Sequence, residues 1–153
     1  MNHSENHKNL NGKCKLLGTV DFSGIKADII LGGVNSPMTV MVLTAEDGSG
    51  APAHISHGED KVFLINEGQM TFLIGDKKIT ADAGESIFVS KGTIHSFSAI
   101  VGNVARVTLV STPGRHDQFF QAMSDLPTPH RMEDVSSICE RFGQTIVGPV
   151  VEA

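Results

Sequence analysis

From Leu16 onward the apolar residues recur every second position in short runs. Leu17 to Phe22 stops at Ser23-Gly24. Ile25, Ala27, Ile29 and Leu31 alternate with other residues and stop at Gly32-Gly33. Met38 to Ala45 is a third run, rich in β-branched residues. A period of two closed by glycine is the signature of a half-buried strand and its turn. Glu46 to Pro52 reads as a loop. Gln69 to Ile74 and Lys78 to Ala81 follow as strands joined at Gly75-Asp76, and Ser86 to Val89 is a short apolar piece. Ile94 to Ile100 and Val104 to Val110 read as a last pair joined across Gly102-Asn103. Short, evenly spaced strands predict an all-β antiparallel barrel or jelly roll.

The period changes at Pro113-Gly114. Phe119, Phe120, Met123 and Leu126 share one helical face, and Pro127 and Pro129 break the run. Val135, Ile138, Cys139 and Phe142 form a second stripe, with Gly143 placed to stop it. Two helices are expected to cover one side of the barrel as core. A short apolar run, Thr145 to Val147, follows. The expected organisation is a polar, disordered tail over 1–13, a barrel over 14–112 and a helical extension of the same domain over 113–153.

Composition narrows the function. A chain of 153 residues suits one domain with a real core. A net charge of −5 argues against nucleic acid, which needs a basic face. No apolar run is long enough to span a bilayer, and the first residues lack the apolar stretch of a secretory signal, so a cytoplasmic location is expected. Cys14 and Cys139 are far apart and are expected to be free thiols. Tyrosine is absent, which removes a tyrosine acid or radical from consideration. His3 and His7 belong to the polar tail.

Two stretches carry the candidate chemistry. Ala53 to Gly68 reads AHISHGEDKVFLINEG, and Gly84 to Ala99 reads GESIFVSKGTIHSFSA. They resemble the two motifs of the cupin superfamily. Gly50, His54 and Gly68 match the first motif, and Gly84, Gly92 and His95 match the second. The segments PGRHDQFFQAM and ERFGQTIVGP are similar to the C-terminus of small cupins like the bacterial quercetin 2,3-dioxygenases. The resemblance implies a single cupin jelly-roll barrel with two C-terminal helices, a small-molecule ligand and pairing of two chains into a homodimer.

The resemblance also implies a metal held by two histidines, an acid and a further histidine, but two of those positions are changed. Ser56 stands where the second histidine falls, and Lys61 stands where the acid falls. A lysine places positive charge where the cation would sit, so no tightly bound cofactor is expected. The alternative is one divalent transition metal (Fe, Mn, Ni, Cu or Zn) in a set rebuilt from His54, His95, His57 and Glu59, for which His57 must turn inward at a bulge. Otherwise His57, Glu59 and Asp60 form a solvated loop.

Ser56 and Lys61 are expected to face the cavity beside Phe63, Ile65, Met70, Phe72 and Phe97. A buried lysine loses hydration and becomes a base, an acid, an enolate stabiliser or a Schiff-base amine near neutral pH. The expected function is metal-independent cyclisation or isomerisation of an apolar or aromatic, polyketide-like molecule, with Lys61, His54 and His95 moving protons and Ser56 as their hydrogen-bonding partner. A quercetinase-like dioxygenase and a non-catalytic binding cupin are the alternatives.

Overall fold

The computed structural model describes residues 11–152. Most of the tail expected over 1–13, with His3 and His7, lies outside them. The described chain folds as eleven strands and two helices. The strands are β1 (Gly18–Phe22), β2 (Ile25–Leu31), β3 (Thr39–Glu46), β4 (Gly50–Ser56), β5 (Asp60–Glu67), β6 (Gln69–Ile74), β7 (Lys77–Asp82), β8 (Ser86–Val89), β9 (Ile94–Ala99), β10 (Val104–Thr112) and β11 (Gln144–Val150). The helices are α1 (His116–Ser124) and α2 (Met132–Arg141). One sheet runs β1-β2-β3-β10-β5-β8 and the other β11-β4-β9-β6-β7. All pairs are antiparallel, and the two sheets face each other as a jelly-roll barrel.

The alternation read in the sequence is what fills the barrel. Met41 and Leu43 of β3, Phe63 and Ile65 of β5, and Val107 and Leu109 of β10 all point inward and are buried. Phe63 meets Phe72 of β6 and Phe97 of β9 at ring-centroid distances of 5.2 and 5.4 Å, so three aromatic rings join the two sheets. Burying a phenylalanine stabilises by roughly 1.5–3 kcal/mol, and edge contacts between rings add to that.

Three expectations are corrected. Gly50 to Pro52 is not loop but the start of β4. Its register against β9 slips between Ala51 and His54, a bulge that gives Pro52 a place where no ladder hydrogen bond is needed. The strands β9 and β10 do not pair. The chain crosses between sheets at Gly102-Asn103, and β10 inserts between β3 and β5. The C-terminal segment is not only helical, because β11 returns to pair with β4 along Gln144↔Ser56 and Ile146↔His54.

The motif glycines have steric reasons. A Cβ at Gly50 would strike the carbonyl of Phe97 on the neighbouring strand. Gly68 turns β5 into β6 with φ +77°, and a Cβ there would strike the carbonyl of Val104. Gly68→Ala therefore combines left-handed strain with a backbone clash, and is expected to cost more than ~2 kcal/mol in a denaturant titration. A loss below a few tenths would contradict the strain.

Candidate active site

The inward faces of β4, β5 and β9 converge at one end of the barrel. Their cross-strand register sets His54 opposite His95. The rings lie 4.1 Å apart at 50°. On β5 the inward positions are Lys61, Phe63 and Ile65. Lys61 is among the largest fully buried side chains of the described residues. Its Nζ lies 3.1 Å from His95 Nε2 and 3.4 Å from His54 Nε2. The amine thus occupies the point on which both imidazoles converge.

Backbone carbonyls fix the tautomers. His54 Nδ1 lies 2.7 Å from the Pro52 carbonyl, and His95 Nδ1 lies 2.9 Å from the Thr93 carbonyl. A carbonyl only accepts, so each Nδ1 carries the proton and each Nε2 keeps a lone pair for the lysine N–H groups. The charges follow from burial. Desolvation, and then the neighbouring lysine, hold His54 well below the usual imidazole range and bring His95 down to about 4. Desolvation brings Lys61 down to about 7, with Glu59 pulling the other way. The site near pH 7 is therefore two neutral acceptors around an amine that is half protonated. Nitrogen NMR of labelled histidine should show both rings as the neutral Nδ1–H form at pH 6. An Nε2–H signal from either would break this arrangement.

Ser56 shares the inward face with His54, but it does not reach the cavity. Its hydroxyl donates to Gln144 Oε1 at 2.7 Å, and Gln144 Nε2 donates to Glu59 Oε2 at 3.2 Å. Glu59 is buried, contrary to the solvated loop expected for it, and desolvation raises its pKa. Its neighbours point elsewhere. His57 is exposed and its Nε2 lies 2.9 Å from Thr145 Oγ1, while Asp60 accepts from the Lys91 amide. His57 does not turn inward, so the set of His54, His57, His95 and Glu59 is not brought together.

The metal implied by the resemblance does not fit these residues. Among the described residues no group of three or more histidine, cysteine, aspartate or glutamate side chains could hold an ion. The two imidazole lone pairs that would ligate one are directed at a lysine amine instead.

A cavity of about 170 Å³ opens beside Lys61. Phe63 and Phe97 wall it as expected; Ile65, Met70 and Phe72 do not, being packed behind those rings in the barrel core. Much of the remaining wall is the helical segment, read in the sequence as core alone, and Phe22, Ile25 and Leu109 of the barrel strands add to it. Phe119, Phe120 and Met123 of α1 and Val135 and Cys139 of α2 all line the cavity. Burial raises the pKa of the Cys139 thiol, which keeps it protonated and unreactive.

His116 and Gln144 are cavity residues that the sequence did not single out. The His116 ring stacks on Phe119 and its Nδ1 is buried with no hydrogen-bond partner. Burial holds it neutral, with smaller repulsion from Lys61, His54 and His95. Asp117 pins the start of α1 by accepting from the Gly33 amide at 3.0 Å and from Thr39 Oγ1 at 3.4 Å.

Residues 41–111 match the family model described as "Cupin domain". That stretch, from β3 to β10, is a cupin domain. No curated protein matches it in sequence. Solved structures share the fold. KdgF from Halomonas sp. superposes with a TM-score of 0.63 at 15% identity, covering 71% of this chain and 99% of that one. An RmlC-like cupin from Shewanella frigidimarina gives 0.58 at 20% identity, over 66% and 87%. Streptomyces Pac13 bound to uridine gives 0.62 at 17% identity, over 93% and 94%. Pac13 is described as a nucleoside dehydratase. Identities this low carry the fold and not the reaction. The similarity to quercetin dioxygenases in particular finds no counterpart among these structures. Among the described residues no helix is long and apolar enough to cross a membrane.

Proposed function

We propose that this cupin is a metal-independent enzyme that moves a proton on a small, mostly apolar molecule, with Lys61 as the base. One observation carries the reading: the Lys61 amine takes the place between His54 and His95 where a cupin of the usual pattern has its metal, and it borders an apolar cavity. Isomerisation, cyclisation and loss of water all begin with such a transfer, and each needs a base that is neutral near pH 7. His54 and His95 hold the amine by accepting its two N–H groups, which leaves its lone pair for substrate. Ser56, through Gln144, keeps Glu59 in place beside the lysine. Ser56 and Gln144 are positioning residues in this scheme.

The dioxygenase alternative needs a third ligand, and His57 points away from the site. A non-catalytic binding role makes a different prediction in the same experiment. The test uses 1,2-benzisoxazole, an uncharged molecule of this size whose ring opens on abstraction of one proton and releases an absorbing cyanophenolate. The protein is expected to accelerate opening, with a rate that rises through about pH 7 as Lys61 loses its proton. Binding without acceleration, or acceleration that persists in Lys61→Met, would overturn the base.

A further inference from the structure

We infer that Lys61 is also a nucleophile, and that it condenses reversibly with an uncharged carbonyl compound about the size of one aromatic ring. The inference deepens the reading of Lys61 as the working group of the cavity and rests on it. Three features point to covalent chemistry. First, the amine makes no salt bridge among the described residues; those found are Arg106–Glu67 and Arg131–Glu133, both at the surface. An ammonium locked to a carboxylate could not attack. Second, the two imidazole acceptors take two of the tetrahedral directions at Nζ and the side chain takes a third. The fourth is the lone pair. Third, the wall facing it is aromatic and aliphatic, from Phe63, Phe97, Leu109, Phe119 and Phe120. The volume, about 170 Å³, is close to that of an engineered apolar cavity that takes up benzene.

The atoms balance without a co-reactant. The Nζ lone pair attacks the carbonyl carbon, and the C=O π pair moves to oxygen. The nitrogen passes a proton to Nε2 of His54 or His95, each within hydrogen-bond reach, and that imidazolium returns it to the alkoxide oxygen to give a neutral carbinolamine. The remaining N–H proton is then relayed through the same imidazole to the hydroxyl, which leaves as water while the nitrogen forms the C=N bond of an imine. Hydration of the imine reverses the sequence. An iminium next to carbon acidifies the adjacent C–H bond, so the same residue serves both the covalent step and the proton transfer. Carbonyl compounds bearing a charge are disfavoured by the apolar wall.

The probe is benzaldehyde with cyanoborohydride at pH 7, applied to the full chain, followed by proteolysis and mass mapping. The expected result is a benzyl group on Lys61 formed at least about tenfold faster than on the exposed Lys77, Lys78 and Lys91. A second aldehyde, 1-pyrenecarboxaldehyde, exceeds the cavity and is expected to label the exposed lysines alone. Labelling of Lys61 no faster than of the exposed lysines overturns the covalent role. Because the mapping is done on the unaltered protein, no variant has to fold. The benzisoxazole reaction involves no carbonyl, so the two readings fail separately. Base activity without trapping removes the nucleophile and keeps the base, and trapping without base activity does the reverse.

Discussion

Replacing Lys61 with methionine is expected to remove base activity by about 10²-fold or more and, at the same time, to make the fold more stable at pH 7. Both effects have one source. The lysine pKa falls from 10.5 to about 7 because burial penalises the ammonium. A displacement of that size corresponds to about 5 kcal/mol between the two protonation states. The unfolded chain holds the proton up to its ordinary pKa, and the folded chain releases it near 7. Between these values the unfolded state binds more protons, so the stability of the natural protein rises with pH from about 7 toward 10.5. Methionine has nearly the same shape and no charge to bury. It also leaves two imidazole lone pairs without a donor, which costs back a few kcal/mol. The net gain at pH 7 is expected to be on the order of 2 kcal/mol, and the slope above pH 7 should flatten. Denaturant titrations of both proteins across pH 6–10 read this directly. A variant that is less stable at every pH, with the slope intact, would show that the amine is not the strained group.

The second large effect is at acid pH. The His95 pKa falls from 6.5 to about 4, again mainly through desolvation. The unfolded chain takes up this proton below 6.5 and the folded chain does not until about 4. Stability is therefore fully present above 6.5 and is lost as pH falls toward 4, by about 3 kcal/mol for His95 alone. His54 and His116 are displaced in the same direction and steepen the loss. Glu59 is displaced upward, binds a proton more readily folded than unfolded, and offsets a part. Unfolding midpoints in urea at pH 7.5 and pH 4.5 should differ sharply. The variant His116→Phe keeps the ring that stacks on Phe119 and removes one titrating group, so it should shed part of that slope. Equal stability at the two pH values would mean that the three rings are solvated.

The barrel was legible because its strands alternate, and alternation is a local property. Lys61, Phe63 and Ile65 share a parity that the sequence displays, and the structure buries all three. Glu59 precedes the strand, and its burial depends on Gln144 from the far end of the chain, which no local pattern displays. The entry to β4 was hidden by Gly50 and Pro52, residues that mark a loop in most contexts and here serve a close strand crossing and a bulge. The pairing of β10 was beyond local reasoning. A turn at Gly102-Asn103 predicts a hairpin, whereas the jelly roll carries the chain across to the other sheet.

The site was legible only in part for the same reason. His54, Lys61 and His95 stand at positions that a strand period can place. Whether they touch depends on register, and the structure sets His54 opposite His95 through the β4–β9 ladder. The helical stripes were correctly apolar, but an apolar stripe does not say whether it covers a core or walls a cavity. His116 begins a helix and Gln144 begins a strand, both more than fifty positions from Lys61 in nearly every useful sense of local sequence. Nothing nearby marks either as a cavity residue.

The central claim is that Lys61, held between two neutral imidazoles, gives up its proton near pH 7. The most direct test is an NMR titration of the lysine side chains in protein labelled with 15N and 13C at lysine, with Lys61→Met used to assign the signal. One lysine should titrate with a midpoint near 7, well apart from the rest. If every lysine titrates near the ordinary value of 10.5, the amine between His54 and His95 is a stable ammonium, and both the base and the nucleophile are wrong.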